Sequence, residues 1–89
     1  MDLQRVKDYL RIDYEDDDLM IMGFISAAKE YLSNAGVPER SQSELYNIVI
    51  LMLVALFYEN RDVSDKDVKI PTVIMNFIVQ LSCKREVAP

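Results

Sequence analysis

The sequence predicts an all-α fold, a small bundle of about four helices around a central apolar one, on three observations. Residues 48–58 (IVILMLVALFY) are apolar or aromatic throughout, the pattern of a helix packed on several sides. Before and after this run, apolar residues recur at steps of three and four. Two Gly and three Pro in 89 residues leave little material for the tight turns of a many-stranded sheet. At this length one domain over residues 1–89 is the economical reading, with a core small enough that assembly with neighbours would help it.

The first helix is expected over about 3–11, where Leu3, Val6 and Leu10 form a stripe beside Tyr9 and Asp2 supplies an N-cap or first-turn anion. The acidic run Asp13-Tyr14-Glu15-Asp16-Asp17-Asp18 precedes a second periodic segment. Carboxylates there suit free N–H groups and the helix dipole, so a second helix should start near Asp16. Its inward stripe reads Leu19, Met22, Ile25, Ala28 and Leu32, widened by Ile21, Phe24 and Tyr31, and Asn34-Ala35-Gly36 offers a left-handed stop before Pro38.

Ser41-Gln42-Ser43-Glu44 fits a capping box in which the Ser41 hydroxyl accepts from the Glu44 N–H, contributing about 1 kcal/mol. The third, central helix starts there. Crossing a bilayer needs about 20 apolar residues, and Glu44, Asn47, Glu59, Asn60 and Arg61 bracket the run too closely. Residues 59–70 read as a polar loop. Pro71 then suits the first position of a last helix whose Val73, Ile74, Phe77, Ile78 and Leu81 face inward while Gln80, Lys84 and Arg85 face outward.

Composition removes most chemistry. The formal charge of -5 would repel phosphate backbones, and the ten Lys and Arg are scattered rather than gathered into a patch. With no His and a single Cys, the commonest general base, zinc clusters and an internal disulfide are all excluded. The N-terminus MDLQRVKDYL lacks a signal peptide's apolar region, so a cytoplasmic setting is expected.

Several constellations have ordinary structural readings. Counted from Asp13, an EF-hand loop would put Asp18 where Gly belongs and Phe24 where the bidentate Glu belongs, so the acidic run is read as a solvated helix start or a contact surface. Lys7, Arg11, Lys84 and Arg85 lie among acidic neighbours without a DNA-reading motif and are expected to be surface solvation. Arg61 either caps the central helix or forms a buried or inter-subunit ion pair. Cys83 lacks the basic partner that would stabilise a thiolate. Met20, Met22, Met52 and Met75 read as core filler, and the five Tyr as half-buried packing residues. No catalytic residue, metal ligand or cofactor site emerges, and an enzyme is not expected.

Two blocks of sequence resemble the head-tail connector proteins of long-tailed bacteriophages and prophages. Val6-Lys7-Asp8-Tyr9-Leu10-Arg11-Ile12-Asp13 is similar to that family's opening signature and is followed by Asp17-Asp18-Leu19, Ile25-Ser26-Ala27-Ala28 and Tyr31-Leu32. Leu53-Val54-Ala55-Leu56-Phe57-Tyr58-Glu59-Asn60-Arg61 is similar to its central helix end, with Ile70-Pro71 opening the last helix.

The resemblance implies a structural adaptor, a subunit of a ring beneath the portal that joins head to tail. Its partners would be copies of itself, the portal and tail-completion proteins, with DNA passing through unread and no membrane involved. It would be found in the bacterial host cytoplasm during assembly and then in the virion neck. In such a ring Asp16, Asp17 and Asp18 are expected to meet basic residues of the next subunit or the portal, with Arg61 and Lys66 as counterparts. The alternative from the residues alone is a small cytoplasmic helical module that binds or regulates one protein partner.

Overall fold

A computed structural model describes residues 1–40, 42–61 and 69–83. Four helices follow in order: α1 (Leu3–Leu10), α2 (Asp18–Asn34), α3 (Glu44–Glu59) and α4 (Thr72–Cys83). No strand occurs among the described residues. The all-α bundle expected from the sequence is the fold observed.

Helix α1 starts where Asp2 stands outside the helix and its Oδ1 accepts from the Arg5 N–H at 2.8 Å. It stops because Arg11 turns left-handed, with φ 62°, which lets the N–H groups of Arg11 and Ile12 reach back to the carbonyls of Asp8 and Lys7. Ile12 thereby folds back into the core. Helix α2 ends by the same device with the residue suited to it. Gly36 has φ 90°, the N–H groups of Gly36 and Val37 bond the carbonyls of Ser33 and Leu32, and Val37 buries itself in the core beside Leu32.

Two expectations for α2 are corrected. It starts at Asp18 rather than near Asp16, and Asp17 at its N-cap makes no capping bond because its carboxylate is used elsewhere. The buried stripe is Ile21, Ile25, Ala28 and Leu32, while Leu19 is 85 % exposed and Met22 and Tyr31 also face solvent. Apolar residues surround the first turns of α2, so periodicity alone left its rotation open; packing against α3 selects the phase.

The cap of α3 is also corrected. Ser43, not Ser41, stands at its N-cap, and Ser43 Oγ accepts from the Tyr46 N–H at 3.2 Å. Ser41 lies outside the described residues. Tyr46, Val49, Ile50, Leu53 and Val54 are fully inside. Helix α3 touches each of the other three helices, as a central apolar helix must. Its rotation nevertheless leaves Ile48 exposed and Met52 and Ala55 half-buried, so it is not enclosed all round.

Pro71 immediately precedes α4, and its carbonyl accepts from the Ile74 and Met75 N–H groups. Ile74, Ile78 and Leu81 face α3, whereas Val73, expected inward, is half exposed together with Met75 and Val79. Lys84, Arg85 and most of the 59–70 segment lie outside the described residues. No helix among the described residues is long and apolar enough to cross a membrane.

Candidate contact surface at the acidic segment

The segment between α1 and α2 meets the far end of α3, because α2 and α3 run antiparallel and bring residues 14–18 against residues 58–61. Tyr58 Oη donates to Asp17 Oδ2 at 2.6 Å, and the Tyr14 hydroxyl lies 3.0 Å from that of Tyr58 and 3.4 Å from the same carboxylate oxygen. The short bond is that of a neutral donor to an ionised acceptor. The Asp17 bond, then that of Tyr14 and partial burial, raise the Tyr58 phenol well above its ordinary value, since losing the proton would set two anions against each other.

Arg61 packs over the ring of Tyr58. Its guanidinium carbon sits 4.0 Å from the ring centroid, and its Nη1 donates to the Tyr58 carbonyl. Asn60 Nδ2 donates to the Leu56 carbonyl at 2.8 Å. Arg61 thus caps α3 and its side chain is exposed rather than in a buried ion pair.

Asp18 is held by a residue that sequence reasoning placed on the surface. Lys7 is buried, and its Nζ lies 2.8 Å from Asp18 Oδ1, an oxygen shielded from solvent whose partner is that ammonium. The signal was present: Lys7 falls four residues after Leu3 and three before Leu10, inside the apolar stripe of α1. A charge at that position needs a counter-charge from across the core. The surface pairs Arg5–Glu44 at 3.8 Å and Lys29–Glu39 at 3.2 Å, the latter through a half-buried lysine, add little, about 0–1 kcal/mol each.

Of the five residues expected to form contacts, the structure thus brings Asp17 and Arg61 to one tyrosine, the first at its hydroxyl and the second over its ring, and commits Asp18 to Lys7. Asp16 is exposed, and neither it nor Glu15 has a side-chain bond among the described residues. Lys66 lies outside them. Tyr14 and Tyr58, missed by sequence reasoning as functional positions, are the residues that join the acidic segment to α3.

On another side of the molecule Tyr9, Met52, Ala55, Leu56, Pro71 and Val73, together with Glu59, line an open, mostly apolar recess of about 210 Å³. It falls short of the roughly 300–1,000 Å³ of small-molecule sites, and is sized for a side chain or two. Among the described residues no group of three His, Cys, Asp or Glu side chains is placed to hold a metal ion.

These features define a small helical structural module whose polar side chains fasten its own helices and whose apolar surface is only partly covered. The chain matches the phage gp6-like head-tail connector protein family over residues 1–82, and it belongs to that family. No curated protein and no solved structure matches it. The family is structural rather than enzymatic, serves as an adaptor, and implies interaction with head and tail components and a place in the virion neck.

Proposed function

We propose that the chain, as a single domain over residues 1–89, is one subunit of a ring seated below the portal, where it joins head to tail and lets DNA pass unread. Membership of the connector family over residues 1–82 carries this reading. Its partners are further copies, the portal and the tail-completion proteins, and it assembles in the bacterial host cytoplasm. The charge of -5 supports passage without binding, since a strongly basic lumen would grip the phosphate backbone.

Within the ring the acidic run meets Arg61 and Lys66 of the next subunit or basic residues of the portal. Asp16 is the available carboxylate, while Asp17 and Asp18, already holding Tyr58 and Lys7, add negative field. Exposed pairs contribute about 0–1 kcal/mol each, so the effect comes from repetition around the ring and from steering of encounter.

The test is sedimentation and electron microscopy of concentrated protein at low and high salt, with Asp16→Asn and Arg61→Gln beside wild type, and with joining of heads to tails as the biological readout. Rings that weaken with salt and with either substitution are expected. A monomer at every concentration that still supports joining would overturn the ring, and a competitor-resistant complex with a defined duplex site would overturn unread passage.

A further inference from the structure

Two of the five tyrosines meet at their hydroxyls. Tyr14 Oη and Tyr58 Oη are 3.0 Å apart across a separation of 44 residues, and both reach the same carboxylate oxygen, Asp17 Oδ2, at 3.4 and 2.6 Å. Tyr46 is buried, and Tyr9 and Tyr31 stand exposed on α1 and α2. Tyr14 is 46 % exposed and Tyr58 half-buried, so the pair is open to a soluble oxidant. Arg61 covers a face of the Tyr58 ring and leaves its hydroxyl edge toward Tyr14.

This arrangement supplies what one-electron oxidation of a phenol requires. The Tyr58 phenol, raised well above its ordinary value, is neutral at neutral pH, so its electron leaves together with its proton rather than from a phenolate. Asp17 Oδ2, at 2.6 Å, is placed to take that proton and pass it to water. The same oxygen then serves Tyr14. Two phenoxyl radicals on one chain meet as a first-order event, without the diffusion that separate molecules require. On each ring the ortho carbons flank the hydroxyl, so rings that touch at their hydroxyls hold those carbons at neighbouring positions.

We infer that Tyr14 and Tyr58 are a site of oxidative cross-linking, where hydrogen peroxide acting through a one-electron oxidant joins them into an intramolecular dityrosine. Each phenol gives up one electron and one proton. A carbon–carbon bond forms between one ortho carbon of each ring, and the hydrogen on each of these carbons moves to its ring's oxygen, restoring both phenols. The chain loses two hydrogen atoms in all, and the peroxide takes them up to become two waters. The new bond fastens the entry of α2 to the end of α3 covalently, where a hydrogen bond otherwise holds them.

The test exposes the full chain to hydrogen peroxide and a haem peroxidase over a range of protein concentrations, reading dityrosine fluorescence, intact mass and cross-linked peptides. Wild type should lose two hydrogen atoms, remain a single chain and yield peptides joined at residues 14 and 58, at a rate independent of its concentration. The joined chain should melt at a higher temperature, because a closed loop restricts the unfolded state. Tyr14→Phe, at a half-exposed position, should abolish the intramolecular product, as should Tyr58→Phe, whereas Tyr9→Phe and Tyr31→Phe should leave it unchanged. Asp17→Asn should slow coupling roughly tenfold, less than a fully enclosed base contributes because water reaches the pair. Coupling that rises with protein concentration, or that joins other tyrosines in place of these two, overturns the site. Coupling as fast in Asp17→Asn as in wild type overturns the part given to the carboxylate.

Discussion

Tyr58 and Asp17, 41 residues apart, are joined by a 2.6 Å hydrogen bond that fastens the end of α3 to the entry of α2. The bond explains why Asp17 stands at the N-cap of α2 without capping it. The carboxylate gives up a local backbone partner for a long-range one, which converts a helix start into a tertiary anchor.

Replacing Tyr58 by Phe should therefore lower stability by about 1–2 kcal/mol, the lower part of the range for hydrogen bonds to charged groups because the site is only half-buried. The pH dependence has a definite sign. A folded-state phenol raised above its unfolded value keeps its contribution below the unfolded value near 10 and loses it as pH rises toward the folded one. Urea unfolding should show a constant gap between wild type and Tyr58→Phe from pH 7 to about 9.5, narrowing above pH 10. Burial and then Glu39 also raise the Tyr46 phenol, so the wild-type-minus-variant absorbance difference at high pH is the measurement that isolates Tyr58.

The Lys7–Asp18 pair makes a second prediction. Lys7→Ala strands a partly shielded carboxylate and should cost about 2–3 kcal/mol, less than a fully buried pair because Asp18 keeps some access to water. Adding Asp18→Asn should recover part of this loss. Chemical denaturation of the two single variants and the double variant gives the coupling, and strictly additive losses would show that the ammonium and carboxylate do not interact.

Leu53 and Leu19 are a matched contrast. Leu53 is 0 % exposed in the centre of α3, and Leu53→Asp should abolish cooperative folding by burying a lone carboxylate. Leu19→Ser should change monomer stability by no more than about 0.5 kcal/mol. Thermal melts at low concentration check both; a large loss from Leu19→Ser would mean that α2 is rotated differently.

The two left-handed helix stops should respond in opposite directions. Gly36→Ala meets no atom within 4 Å of the new Cβ, so its cost is backbone strain alone, about 1–2 kcal/mol. Arg11→Gly removes such strain at φ 62° and should gain about 0.5 kcal/mol after the added freedom of the unfolded chain is counted. Equilibrium unfolding of both variants is the check.

What the sequence disclosed was mostly local. Asp2, Gly36 and the apolar run of α3 act within a turn or two of themselves, and each was legible. The rotation of α2 was not, because its first turns offer apolar residues in every direction and only α3 decides which of them is covered. Ser41 and Ser43 both have cap chemistry, and the Ser43 Oγ bond to the Tyr46 N–H is the one the structure forms. Lys7 was misplaced by the ordinary preference of lysine for water, although its position in the stripe of α1 argued otherwise. The Tyr58–Asp17 anchor needs a contact across 41 residues and has no signature in either segment alone.

Among the described residues helix α4 packs on α3 and has no comparable contact with α1 or α2, and its side of that seam is Ile74, Ile78 and Leu81. It is thus held to the rest along a single seam, a cooperative unit separable from the other three. Its amide protons should exchange with solvent through a partial opening at lower free energy than those of α3, whose exposure requires the whole molecule to come apart. A binding event that clamps α4 would then be read most sensitively as a slowing of its isotope exchange, without any change of shape.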